Sequence, residues 1–110
     1  MGLDFYTAKT YNDIDTGCKA VSLETELQDY LYVKRDSLDS KALYSINPYG
    51  DTEFNSEEIS EISSLCKQII NSNLFDGYNN REAAAAFLLS LDTLCEKASE
   101  EGLLLFAIGD

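Results

Sequence analysis

The chain has 110 residues, with 20 Asp and Glu against 8 Lys and Arg, no His, and a formal net charge of −12. That balance argues against a direct nucleic-acid binder, whose phosphate contacts need Lys and Arg, and against docking to an anionic membrane surface. The length predicts a single domain, residues 1–110, with a core that needs no staples.

In chain order, Leu3-Asp4-Phe5-Tyr6-Thr7-Ala8 alternates like a strand, with Leu3 and Phe5 on one face. Residues 9–17 are polar and read as loop, and 18–23 as a short strand. Leu23, Leu27, Tyr30 and Leu31 share a helical face, although Tyr30-Leu31-Tyr32-Val33 is rich in β-formers. The stretch 36–55 reads as irregular and contains the turn Asn47-Pro48-Tyr49-Gly50-Asp51, with Gly50 offering a position for a positive φ.

Helix punctuation follows. Asn55 is an N-cap with Glu58 at N3, and Phe54 is placed to staple onto Ile59. Ile59, Ile62, Leu65, Cys66, Ile69 and Ile70 then mark an apolar helical face, ended by Asn71-Ser72-Asn73 and Gly77. A second helix starts near Asn79 or Asn80, where Asn79 and Glu82 repeat the capping spacing, and stops at Gly102. The run Leu103-Leu104-Leu105-Phe106-Ala107-Ile108 reads as a buried final strand that pairs with the first. The expected fold is α+β: a small sheet holding the N- and C-terminal strands, packed against two main helices at about 56–71 and 80–101.

Catalytic signals are weak. Without His, a Ser or Cys nucleophile lacks its usual base, and no Lys sits in a base motif. Cys18, Cys66 and Cys95 form no CxxC pair and fit a reducing compartment, with Cys66 and Cys95 as small core residues. Calcium-loop spacing fails from Asp13, where Gly17 and Cys18 fall on ligand and glycine positions, and from Asp51, where Ser56 and Ile62 do. No catalytic residue, cofactor or metal site is therefore expected. The opening lacks the basic and apolar regions of a signal peptide, and no apolar run nears the roughly 18 residues of a membrane span. The expectation is a cytoplasmic protein without membrane contact.

The acid distribution is more informative. No Lys or Arg occurs from Ala42 to Cys66, while Asp51, Glu53, Glu57, Glu58 and Glu61 fall within eleven residues beside Tyr49 and Phe54. Glu57 and Glu58 suit the positive end of a helix dipole. The others form a negative field of the kind that speeds encounter with a basic partner. Tyr49, Asp51, Glu53, Phe54, Glu57 and Glu61 are accordingly the candidate partner-binding residues.

The run Ile46-Asn47-Pro48-Tyr49-Gly50-Asp51-Thr52-Glu53-Phe54-Asn55, the Gly-Leu-Asp start and the ending Phe106-Ala107-Ile108-Gly109-Asp110 carry a resemblance. They resemble small acidic bacterial immunity proteins of polymorphic toxin and contact-dependent growth inhibition systems, in which Ile-Asp-Pro-Tyr-Gly-Asp-Thr-x-Phe-Asn precedes a helix. Asn47 departs from the Asp of that motif. The resemblance implies a non-enzymatic protein that neutralises a cognate toxin domain, often a nuclease, by covering its basic active surface. A different reading of the same acidity is a nucleic-acid mimic or regulatory module that blocks a nucleic-acid-binding protein. A carboxylate enzyme is a third, marked by an enclosed pocket with convergent acids.

Overall fold

The computed structural model describes residues 2–15, 21–38, 40–47 and 49–109. Four strands, β1 (Gly2–Ala8), β2 (Val21–Glu24), β3 (Asp51–Phe54) and β4 (Leu104–Gly109), form one antiparallel sheet in the order β2-β1-β4-β3. Three helices, α1 (Thr25–Val33), α2 (Ser56–Ile70) and α3 (Arg81–Glu101), pack on it. The fold is α+β, with the N- and C-terminal strands paired at the centre of the sheet from Leu3↔Gly109 to Ala8↔Leu104.

The pleat decides which residues reach the core. Leu3, Phe5, Leu23, Phe54, Leu105 and Ala107 point toward the helices and join one apolar cluster with Ile59, Ile62, Leu88 and Leu91. Phe5 meets Phe87 of α3 at 6.1 Å between ring centroids, which seats α3 over β1. Phe106 points the other way, so the alternation expected of β1 runs through β4 as well.

Helix α2 begins where its cap chemistry says it must. The Asn55 side chain accepts from the Glu58 backbone N–H at 3.0 Å, and the Glu58 carboxylate accepts from the Asn55 N–H at 3.0 Å. Phe54 and Ile59, at N′ and N4, are both in the core, the arrangement of a hydrophobic staple. Helix α3 ends at Gly102, whose φ of 66° is left-handed, with the Leu103 N–H reaching back to the Ala98 carbonyl at 2.8 Å. Its start falls where expected, near Asn79 or Asn80, but without the expected capping pair. Asn80, not Asn79, is the N-cap, and its side chain makes no capping bond, so Glu82 has no box to complete.

The remaining elements match the expectation in one helix and depart from it at Leu23, at residues 51–54 and at Gly50. Helix α1 forms despite its β-prone residues, because Leu27, Gln28 and Leu31 are buried at helical spacing and the Tyr30 hydroxyl donates to the Leu74 carbonyl at 2.6 Å. Leu23 belongs to β2 rather than to that helix. Within the stretch read as irregular lies strand β3, an edge of only four residues. Gly50 does not take a positive φ; Gly102 is the position that does among the described residues. Space is what Gly50 relieves, since a Cβ there would stand 3.2 Å from the Asn47 side-chain Nδ2.

Of the three segments that carry the resemblance, 46–55 and the final strand are neighbours in the sheet. Asn47 forms an Asx turn, accepting from the Tyr49 N–H at 2.9 Å, a role an Asp side chain would fill equally. The Gly109 N–H donates to the Gly50 carbonyl at 2.9 Å, and β3 then pairs with β4 from Asp51↔Ile108 to Phe54↔Leu105. Pro48, Cys18 and Asp110 lie outside the described residues.

Candidate partner-binding surface

The short strand β3 sorts the candidate residues. Thr52 and Phe54 face the helices, and Asp51 and Glu53 face away. Phe54 is 5% exposed and packed in the core, so it offers no surface to a partner, and its place in the candidate set is withdrawn. Tyr49 is 73% exposed in the turn before β3. Glu57 and Glu61 are exposed on α2, one helical turn apart, on the layer opposite the face that bears Asp51 and Glu53. The acids that are contiguous in sequence are therefore divided between two sides of the sheet.

The pleat brings other groups to Asp51 and Glu53. Asp51 shares a row with Ile108 and Asp4, and Glu53 shares the next row with Phe106 and Tyr6. The Ser22 hydroxyl donates to Asp4 at 2.6 Å on the same face. A 3₁₀ turn, Tyr11–Asp13, folds back over this face. The Tyr11 ring stands edge-on to Phe106 at 6.0 Å, and its hydroxyl donates to the Asp51 carboxylate at 2.7 Å. That hydrogen bond, with the charge of Asp51 behind it, raises the Tyr11 pKa above the ordinary phenol value. Tyr6 is raised as well, by desolvation first and by Asp4 second.

Asp4, Tyr6 and Tyr11 were not among the residues picked from the sequence. The alternation that puts Leu3 and Phe5 inside also puts Asp4 and Tyr6 on the opposite face, and that signal finds two of them. Tyr11 has no such signal, because it reaches Asp51 from forty positions away.

Elsewhere the geometry reads as structural. Lys67 of α2 lies 3.7 Å from Asp92 and 3.9 Å from Glu96 of α3, while the Ser63 hydroxyl donates to Asp92 at 2.5 Å. These links join the two helices at the surface, where ion pairs contribute little individually. Cys66 and Cys95 are buried and free, as small core residues. Burial pushes both thiols up, Cys95 to about 12. A cleft between β2, α1 and α3, lined by Ser22, Leu27, Tyr78 and Phe87, has a volume of about 70 Å³, with Glu24 the one carboxylate among its described lining residues. Among the described residues no cluster of three or more His, Cys, Asp or Glu is arranged to hold a metal ion. No described helix is long and apolar enough to cross a membrane.

Comparison with protein-family models, with curated proteins and with solved structures finds no match to this chain.

Proposed function

We propose that the chain is a cytoplasmic immunity protein that binds a cognate toxin domain, most naturally a nuclease, and blocks it by covering its basic active surface. The observation that carries the reading is the exposure of Asp51 and Glu53 on a sheet whose strands contain no Lys or Arg, in a chain of net charge −12. Nucleases need cations where they hold phosphate. A protein that presents carboxylates at that surface competes with the nucleic acid and excludes it. The inhibitor needs no chemistry of its own, in keeping with the absence of His and of a base motif.

The test is co-expression with the toxin domain encoded beside this chain's gene. The expected result is restored growth, recovery of the two chains as one complex, and loss of nuclease activity in the purified complex. A toxin that stays fully active and elutes apart from the chain overturns the reading. A chain that instead inhibits a nucleic-acid-binding protein unrelated to any toxin favours the mimic.

A further inference from the structure

The helices cover one face of the sheet, and the other is the face of Asp4, Tyr6, Phe106, Asp51 and Glu53. Two aromatic rings and three carboxylates meet there within two adjacent rows of the sheet. Phe106 is 1% exposed beneath Tyr11, while Tyr11 itself is 51% exposed and Tyr6 is half-buried. Asp51 and Glu53 are exposed, and Asp4 is half-buried. None of the four strands contains a Lys or Arg to neutralise these acids. Lys9 is the nearest basic residue in sequence and lies beyond the end of β1.

We propose that this sheet face is the docking surface, and that its occupant is an arginine-bearing patch on a basic protein. The proposal rests on the immunity reading for the identity of that protein, but the face is argued from its own chemistry. A guanidinium is planar, stacks on aromatic rings and forks onto carboxylates. A lysine ammonium is a compact point charge that uses the carboxylates and gains less from the rings. A face in which carboxylates border phenol rings therefore favours Arg over Lys. Within the chain the Arg35 guanidinium stands 4.3 Å from the Tyr32 ring centre, while the Lys34 ammonium stands farther, 5.8 Å, from that of Tyr30. Aromatic residues at the centre with charges around them is also the usual arrangement of an interface whose energy is concentrated in a few anchors.

Tyr11 has a second role on this surface. Its hydroxyl occupies one oxygen of Asp51, leaving the other open to an incoming donor. Half of the Tyr11 ring stays exposed while it covers Phe106, so a guanidinium can stack on its outer side with the ring left in place.

The experiment titrates the ¹⁵N-labelled full chain with nona-arginine and, separately, with nona-lysine peptide, and follows backbone amide shifts. The expected shifts concentrate on 4–8, Tyr11, 51–54 and 106–108. The triple variant Asp4→Asn, Asp51→Asn, Glu53→Gln keeps acceptors for Ser22 and Tyr11 and is expected to weaken nona-arginine binding by about tenfold. The variant Glu96→Gln, Glu100→Gln, Glu101→Gln removes the same charge from the helical layer and is expected to weaken it by less than about threefold. Nona-arginine is expected to bind more tightly than nona-lysine, and Tyr11→Leu to abolish that preference. Shifts centred on α2 and α3, equal losses in the two triple variants, or equal binding of the two peptides overturns the proposal. If the chain neutralises its toxin while the peptides map elsewhere, the docking face is wrong and the immunity reading stands. If the peptides map to this face while no toxin is neutralised, the face stands and the immunity reading falls.

Discussion

Gln28 is the one buried polar side chain among the described residues, at 7% exposure, and both of its amide hydrogens are used. It donates to the Leu43 carbonyl at 3.1 Å and the Ile46 carbonyl at 2.9 Å. These bonds pin the segment that leads into the Asn47 turn, and so they place Tyr49 and β3. Gln28→Leu keeps the volume and strands two carbonyls, which costs about 1–3 kcal/mol for each acceptor left without a partner. The expected result is a lower urea midpoint with an unchanged slope. An unchanged midpoint would show that solvent reaches those carbonyls. Asn55 works at the same scale. Asn55→Ala removes half of a capping box and is expected to cost about 1 kcal/mol. Chemical denaturation checks this too, and a cost near zero would mean that α2 re-caps elsewhere.

Elements explain what the sequence made legible. Helix α2 announced itself through Asn55 and Glu58 and through five buried residues at helical spacing. Helix α3 did so through its apolar period and Gly102, and β4 through six apolar residues in a row. Strand β3 was hidden because four residues are too short to show a period, and the turn before it drew attention to loop chemistry. Missing β3 also meant missing the site's geometry. Without a strand at 51–54 the acids read as one cluster, whereas the pleat sends Phe54 inward and separates Asp51 and Glu53 from Glu57 and Glu61. Helix α1 was ambiguous for another reason: Tyr30, Tyr32 and Val33 prefer strands, and burial against the rest of the fold overrides them.

Two element-scale predictions follow from the packing of these pieces. Cys66 and Cys95 sit between α2 and α3, and burial raises both thiols far above neutrality. A thiol reagent near pH 8 is expected to leave both unmodified in the native chain and to label them in guanidinium. Fast native labelling of either would mean that the helices separate. The Tyr11 turn answers to alkaline pH. Its neutral form is favoured in the folded state, so its contribution is complete below the unfolded phenol value of 10.0 and is lost as pH rises through the higher folded value. Ultraviolet titration of tyrosinate is expected to show one fewer late-titrating phenol in Tyr11→Phe. An identical profile would mean that Tyr11 does not hold Asp51 in solution.

At the scale of the whole molecule, charge is the dominant property. A net charge of −12 on 110 residues gives a long-range negative field. The helices and the main apolar cluster lie on one side of the sheet, and Asp4, Asp51 and Glu53 lie on the other. The field would draw a basic partner in, and the sheet face would fix its orientation. Such steering acts on association more than on dissociation. It is screened over about 8–10 Å at 0.1–0.15 M salt.

The most direct test of the central claim is the association rate constant between this chain and the toxin domain proposed as its partner, measured by stopped-flow fluorescence across a range of salt concentrations. The account predicts fast association at low salt, a steep fall as salt rises, and a slower, flatter profile when Asp4, Asp51 and Glu53 are reversed to Lys. An association rate that ignores salt in the native chain, or no association at all, would contradict it.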